Sequence, residues 1–315
     1  MRYLVTGGAG FLGSSLIRTL LARGEKVVCV DNLLSGKIEN LAEFWENKNF
    51  SFLLRDIIEP IDVECEFIFN LACPASPPIY QRNPLHTLDT CYLGAKNLLT
   101  LAKKNHARIL QASTSEIYGD AEIVPQPETY FGNVDTCGIR SCYDEGKRIV
   151  ESLFCDHHRM YGTDFRIARI FNSYGPGMSR EDGRVVSNFC FQALKGEPIT
   201  IYGDGSQTRS FCFRDDTING LVALMQAELI FTPVNIGNPN EITVLQLAET
   251  IKELCQSNSE IVFKPLPSGD PKRRKPDIQK AKQLLNWEPK VNLTDGLLHT
   301  ITWVKDVLEK QGKLR

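Results

Sequence analysis

The chain has 315 residues, 42% of them hydrophobic and 23% charged, which suits one large or two smaller globular domains that need no metal or disulfide staple. A formal net charge of −2 excludes a global attraction to nucleic acid or an acidic membrane, so any anion recognition must be local. Ten cysteines are scattered along the chain without a Cys-x-x-Cys pair, and several (Cys29, Cys155, Cys190) lie in apolar stretches. They read as free thiols in a reducing compartment rather than a disulfide framework or zinc site. The sequence runs straight into a strand at residues 2–5, with no leader before it. No apolar run is long enough to span a bilayer. The expectation is a cytoplasmic protein with no membrane or nucleic-acid partner.

Tyr3-Leu4-Val5 reads as a short strand, followed by Thr6-Gly7-Gly8-Ala9-Gly10-Phe11-Leu12-Gly13. Leu12, Leu16, Ile17, Leu20 and Leu21 then recur at helical spacing, with Gly24 placed to end the helix. Residues 26–30 form the next strand, which ends at Asp31. Phe52-Leu53-Leu54, Phe67-Ile68-Phe69 and Arg108-Ile109-Leu110 are further strands, interleaved with helical patterns over 85–104 and 144–160. Another strand covers 165–170. Strands alternating with helices require a parallel sheet covered on both faces. The predicted fold class is therefore α/β, a Rossmann-type doubly wound parallel sheet with a smaller C-terminal substrate-binding domain. Beyond about residue 171 the segments shorten and Gly and Pro increase. The predicted division gives residues 1–170, rejoined by about 210–235, to the first domain, and 171–209 with 236–315 to the second.

Gly7-x-x-Gly10-x-x-Gly13 follows a strand and opens a helix. Glycine is needed there because the backbone must turn tightly and approach a pyrophosphate, which the N–H groups and positive end of the helix then bind. Asp31 follows Gly13 by 18 residues, where an acid binds a ribose 2′-hydroxyl and repels a 2′-phosphate. The predicted cofactor is NAD rather than NADP. Incidental glycines in a structural turn are the bland alternative, and the strand, helix and acid together argue against it.

Residues 108–112 lead into Ser113-Thr114-Ser115-Glu116, and Tyr143-Asp144-Glu145-Gly146-Lys147 follows about thirty residues later. On a helix Tyr143 and Lys147 lie one turn apart on one face. The ammonium is expected to stabilise a phenolate and lower the tyrosine's pKa, making it a general base, while the Thr114 hydroxyl shares the substrate proton. Tyr-x-x-x-Lys is common by chance, and only the glycine pattern and the Thr114 strand end favour chemistry. His157 and His158 read as residues of a polar helical stretch, and no carboxylate or histidine spacing suggests a metal.

These motifs resemble the extended short-chain dehydrogenase/reductase superfamily and, within it, the UDP-glucuronate decarboxylases (UDP-xylose synthases). The resemblance runs to about residue 305. It includes Cys73-Pro74-Ala75-Ser76-Pro77-Pro78, residues 113–120, 143–148, 169–176, 202–211 and Arg273-Arg274-Lys275-Pro276. It implies a carboxy-lyase in which NAD-dependent oxidation at C4 turns the sugar acid into a β-keto acid that loses carbon dioxide, giving UDP-xylose or a UDP-4-keto-pentose. The implied catalytic residues are Tyr143, Lys147, Thr114, Ser115, Glu116 and Arg274, with Arg274 holding the carboxylate. Besides Tyr143 and Lys147, the implied NAD contacts are Gly7, Gly10, Phe11, Leu12, Gly13, Asp31, Asn32, Ser35, Gly36, Asp56, Ile57 and Ala72. Those for the UDP-sugar are Pro74, Ser76, Asn172, Arg184, Tyr202, Gln207, Arg209 and Arg274. No metal is implied, and the helical patterns at 85–104 and 144–160 are similar to those that form a homodimer interface.

Dehydratases of the superfamily carry an aspartate where this chain has Ser115, and epimerases usually lack the acid that stands here as Glu116. A UDP-glucuronate 4-epimerase and an NDP-sugar 4,6-dehydratase are the alternative enzymes, and a non-catalytic NAD-binding regulator is the alternative from another class. By charge pattern alone the basic run at 272–275 fits a solvated loop equally well, and Tyr202 fits a core aromatic. The chain departs from the decarboxylase pattern at Cys91 (usually Asn), Gly177 (Arg), Ser179 (His), Ile79 (His or a similar polar residue) and Arg214 (small and apolar).

Overall fold

The computed structural model describes residues 1–179, 182–266 and 273–313; residue 272, the first of the basic run, lies outside them. Tyr3, Leu4 and Val5 are all buried, as expected of a strand covered on both faces rather than one. They lie in β1 (Arg2–Thr6), which with α1 (Phe11–Ala22), β2 (Lys26–Asp31) and β3 (Phe50–Leu54) builds one half of a parallel sheet. The other half comprises β4 (Phe67–Asn70), the short helices α2 (Pro77–Tyr80) and α3 (Pro84–Asp89), α4 (Ala95–Asn105), β5 (Arg108–Thr114), α5 (Ser141–Tyr161) and β6 (Phe165–Ile170). The helical pattern over 85–104 is not one regular helix, because a π-helical turn at Thr90–Gly94 joins α3 to α4.

Next come β7 (Ser173–Tyr174), α6 (Val185–Lys195), β8 (Ile199–Tyr202), β9 (Thr208–Ser210) and β10 (Cys212–Phe213). Helix α7 (Arg214–Gln226) then carries the chain back to β11 (Val234–Ile236), which pairs with β6 as a seventh parallel strand. The last elements are β12 (Glu241–Thr243), α8 (Val244–Leu254), β13 (Ile261–Lys264), β14 (Arg273–Arg274), α9 (Gln279–Leu285) and α10 (Leu293–Lys310).

The large sheet runs β11-β6-β5-β4-β1-β2-β3. The order reverses between β1 and β4, and the crevice above their C-terminal ends is where such sheets bind ligands. One core packs α1 and α7 on the sheet and includes Ile278, Ala281 and Trp287 from the C-terminal region. A separate core is formed by α6, α8 and α10 around Phe189, Leu247, Leu297 and Val304. His157 and His158 do more than face solvent. Their Nδ1 atoms meet the Thr163 hydroxyl and carbonyl at 2.7 and 2.9 Å and tie down the end of α5.

Gly13 fixes the angle at which α1 leaves the crevice. A Cβ there would lie 2.1 Å from the Gly7 oxygen and 2.7 Å from the Gly8 Cα, and neither backbone atom can yield cheaply. Gly13→Ala should therefore lower stability by about 1–3 kcal/mol, as overpacking does. A urea midpoint equal to that of the unaltered chain would contradict the close packing.

Candidate active site

The crevice is built from backbone. Gly7 has φ +70°, and a Cβ on it would lie 2.7 Å from the Leu71 carbonyl carbon, so β1 and β4 approach at the switch point only without a side chain. At Gly10 an added Cβ would meet only the Gly7 oxygen, at 3.2 Å. This open cradle at the start of α1 fits a pyrophosphate. Phe11 and Leu12 flank it, half-buried.

Across the loop the buried Asp31 carboxylate accepts the N–H groups of Ala9 and Leu33 at 2.9 and 2.8 Å. Burial raises its pKa, and those N–H bonds offset only part of the rise. Gly36 leaves room for this acid, since a Cβ there would lie 2.9 Å from Oδ2. Asn32 and Ser35 lie exposed on the same loop. The Asn32 amide donates to Asp56 at 2.6 Å, and Asp56 also meets His86 Nε2 at 2.9 Å. Burial alone would raise the Asp56 pKa, but the Ile58 N–H, Asn32 and His86 hold it below its ordinary value. Ile57 is buried against Gly94, and Ala72 follows β4 half-buried.

Beside the crevice β5 ends at Thr114, whose Oγ1 accepts the Glu116 N–H at 3.2 Å. The Thr114 hydroxyl also hydrogen-bonds the Tyr143 phenol. Lys147 is buried, donates to the Ala112 carbonyl at 2.8 Å and lies 5.7 Å from the centre of the Tyr143 ring. The structure thus brings Thr114, Tyr143 and Lys147 together, but it corrects the expected proton affinity. The Tyr143 pKa is raised, because burial and the nearby Cys73 outweigh the Thr114 hydrogen bond and the Arg184 charge. Instead, the lysine ammonium is bonded to the sheet end.

An ionic cluster adjoins this centre. Glu116 accepts from Arg140 Nη2 at 2.5 Å and from Arg274 Nη2 at 2.7 Å. Arg274 Nη1 donates to the Ser115 carbonyl. Burial would raise the Glu116 pKa, yet the arginines hold it below the ordinary carboxylate range. Arg274 is only 2% exposed, and its Nε is a buried donor with no partner among the described residues. The Ser76 Oγ, Tyr80 hydroxyl and Asp144 Oδ1 are likewise buried without a partner among the described residues.

Sequence reading missed Arg140, Asp144 and Tyr80. The first two form an opposite-charge pair spaced i, i+4 at the start of α5, a signal overshadowed by the Tyr-x-x-x-Lys motif. Tyr80 stacks on Tyr143 with ring centres 5.1 Å apart and planes 3° from parallel, a partnership no spacing reveals.

The remaining predicted residues surround this cluster at varied depth. Pro74 is buried, and Arg184, at the start of α6, donates to the Ala75 carbonyl at 3.4 Å. The half-buried Asn172 accepts the Cys212 N–H through its carbonyl at 2.9 Å. Arg209 pairs in register with Arg274 and adds to the positive field on Glu116. Tyr202 is 45% exposed and so is not a core aromatic; its carbonyl accepts the Gln207 amide at 2.6 Å.

A glycine cradle at the switch point of a parallel sheet, with a buried Thr–Tyr–Lys set beside it, defines a short-chain dehydrogenase/reductase. A family model described as GDP-mannose 4,6 dehydratase matches residues 4–300. UDP-glucuronic acid decarboxylase 1 of Arabidopsis thaliana is 50% identical over 315 residues, covering 99% of this chain and 72% of that protein. UDP-glucuronic acid decarboxylase 3 of the same plant is 51% identical over 298 residues, covering 94% and 87%. The solved UDP-glucuronic acid 4-epimerase of Bacillus cereus, in complex with UDP-glucuronic acid and NAD, has a TM-score of 0.88 at 27% identity and covers 98% of this chain and 100% of its own. The chain belongs to the UDP-glucuronic acid decarboxylase family, in the extended short-chain dehydrogenase/reductase superfamily.

Asp144 gives a test of the cluster. Burial first, and then the Glu116 carboxylate, push its pKa from 3.8 up to about 7, against the pull of Arg140 and Arg274. A raised acid contributes stability below its ordinary value and loses that contribution as pH rises towards the folded value. The Tm of Asp144→Asn minus that of the unaltered chain should therefore increase from pH 5 to pH 7 and level off above. A difference independent of pH would refute the burial of this charge.

Proposed function

We propose that this protein decarboxylates UDP-glucuronate by way of C4 oxidation and uses NAD as its cofactor. The observation that carries this reading is Arg274, a buried guanidinium seated on Glu116 and the Ser115 carbonyl beside the Thr114–Tyr143–Lys147 set. A planar cation with one donor unsatisfied is suited to a sugar carboxylate.

Gly7, Gly10 and Gly13 hold the cofactor's pyrophosphate with α1, and Asp31 takes its ribose, with Asn32, Ser35, Gly36, Asp56, Ile57 and Ala72 around them. When bound, NAD would supply the two-electron oxidant for C4. Tyr143 takes the C4 hydroxyl proton with Thr114 as its partner, and Lys147 fixes the local field. Once C4 is a ketone, the C5 carboxylate is a β-keto acid. Arg274 holds it so that the C5–C6 bonding pair flows into the ketone as carbon dioxide leaves. Glu116 with Ser115 manages the proton that returns to C5. Asn172, Arg184, Arg209, Tyr202, Gln207, Pro74 and Ser76 position the nucleotide and sugar, placing the UDP-sugar against the segments 171–209 and 236–315.

Purified protein given UDP-glucuronate and NAD should release carbon dioxide and yield a nucleotide pentose by mass spectrometry. Appearance of UDP-galacturonate with no carbon lost would instead indicate a 4-epimerase. Tyr143→Phe should lower turnover by about 10²–10⁴-fold, the usual contribution of a general base. Arg274→Ala should lose carbon dioxide release; release at the full rate would remove Arg274 from its assigned role.

We also read the protein as a cytoplasmic homodimer. All ten cysteines are free thiols, and no helix among the described residues is long and apolar enough to cross a membrane. Leu88, Tyr92, Leu93 and Ile149 are exposed along the α3–α4 segment and α5, an apolar face suited to a second copy. Light scattering at micromolar concentration should give twice the chain mass, and Tyr92→Glu with Leu93→Glu should halve it. A monomeric mass for the unaltered chain would overturn this arrangement.

A further inference from the structure

Two thiols meet behind the catalytic tyrosine. Cys73 follows β4 on the loop that carries Pro74 and Ser76, and Cys91 lies in the π-helical turn between α3 and α4. Their sulfurs are 3.5 Å apart. Cys91 is buried, whereas Cys73 is only partly so. Cys73 packs against Tyr80, Cys142 and Tyr143, so an oxidant that enters the active site reaches it before Cys91. Both sulfurs lie within the field of the Lys147 ammonium. The Cys91 hydrogen bond and the charges of Lys147 and His86 hold the Cys73 thiol down at about 7 despite its burial, so Cys73 is the nucleophile. Cys91 stays protonated, its pKa raised by Cys73 and by burial. That asymmetry is what thiol oxidation requires.

We propose that Cys73 and Cys91 are a reversible oxidation site that gates this enzyme. A hydroperoxide is the oxidant. The Cys73 thiolate attacks the terminal peroxide oxygen, the O–O bond breaks, and the departing oxygen takes up a proton to leave as water or an alcohol. The Cys91 sulfur then displaces hydroxide from the Cys73 sulfenic acid. The Cys91 proton leaves with that hydroxide as water, and the S–S bond forms. Two thiols are oxidised and one peroxide is reduced.

A disulfide needs its sulfurs at roughly 2.05 Å, so the pair must close the gap by about 1.5 Å. Cys91 has little freedom, because it is buried within the π-helical turn. The Cys73 loop is irregular and must supply the movement. That movement drags Ala72, Pro74 and Ser76 with it, and these are the residues that the proposed function gives to the cofactor and the sugar.

The experiment treats the NAD-loaded protein with graded hydrogen peroxide and maps its cysteines by peptide mass spectrometry. The exposed Cys137 serves as the internal comparison. The expected result is a Cys73–Cys91 cross-linked peptide lacking two hydrogens, formed at peroxide levels that leave Cys137 largely reduced and reversed by dithiothreitol. Cys91→Ala should abolish the cross-link and leave Cys73 as a sulfenic acid that dimedone traps. Oxidation of Cys137 with no Cys73–Cys91 cross-link would overturn the site. The gating rests on the decarboxylase reading: carbon dioxide release should fall at least about tenfold on oxidation and recover on reduction. A cross-linked enzyme at full activity would overturn the gate, whereas reduced protein that never releases carbon dioxide would count against the decarboxylase reading and leave the thiol chemistry standing.

Discussion

The Glu116–Arg274 pair is a buried ionic link between two parts of the molecule. Glu116 stands just beyond the end of β5, on the sheet, whereas Arg274 lies in a strand that pairs with β9. Their 2.7 Å contact, with Arg140 on the other side of the carboxylate, closes the active site between the two cores. Burying such a pair yields little net stability, because desolvation consumes most of the Coulomb energy. Losing one partner costs about 3–5 kcal/mol, since the other charge is left uncompensated. The pair therefore governs alignment more than stability. It fixes a buried guanidinium on Glu116, and it leaves the Arg274 Nε without an acceptor among the described residues.

A second buried ion pair supports the first from below. Glu151 on α5 bonds Arg169 of β6 at 2.7 Å and accepts the Ser113 hydroxyl at 2.5 Å, while Arg169 also donates to the Tyr118 hydroxyl at 2.9 Å. Ser113 immediately precedes Thr114, so the helix that carries Tyr143 and Lys147 is bonded to the strand that carries Thr114. Rigid elements held in this way keep catalytic groups within the few tenths of an ångström that chemistry requires. The Thr114–Tyr143–Lys147 set is thus held by two strands and one helix rather than by any single loop.

The sheet was legible because its evidence is local. Short apolar runs at 3–5, 67–69 and 109–110 separated by helical periods admit few arrangements, and Gly7, Gly10 and Gly13 mark the turn that must carry no side chains. The strand at Val234–Ile236 escaped reading because it is short and its partner β6 lies more than sixty residues away. The Tyr143 proton affinity escaped for another reason. Spacing shows that an ammonium is one helical turn away, but not that the ring is buried or that Lys147 is bonded to Ala112. Arg140, Asp144 and Tyr80 act through burial and stacking, which depend on residues far apart in the chain. Motif and resemblance supplied the residue types, and tertiary packing supplied their charge states.

Two of the departures from the family pattern belong together. The resemblance expects an arginine at 177 and a small apolar residue at 214, and this chain has Gly177 and Arg214. Gly177 has φ +92°, a conformation that strains any residue with a Cβ, and a Cβ there would lie 3.8 Å from both Arg214 Nη1 and Phe11 Cδ2. Arg214 Nη1 donates to the adjacent Pro176 carbonyl at 2.5 Å. A guanidinium therefore reaches the same loop above the cradle from the first residue of α7 rather than from the loop itself. Gly175 makes the approach possible, because its missing Cβ would stand 3.0 Å from that of Arg214. The Cys91 departure has no such counterweight, since it places a thiol where the resemblance expects an amide, 3.5 Å from the Cys73 sulfur.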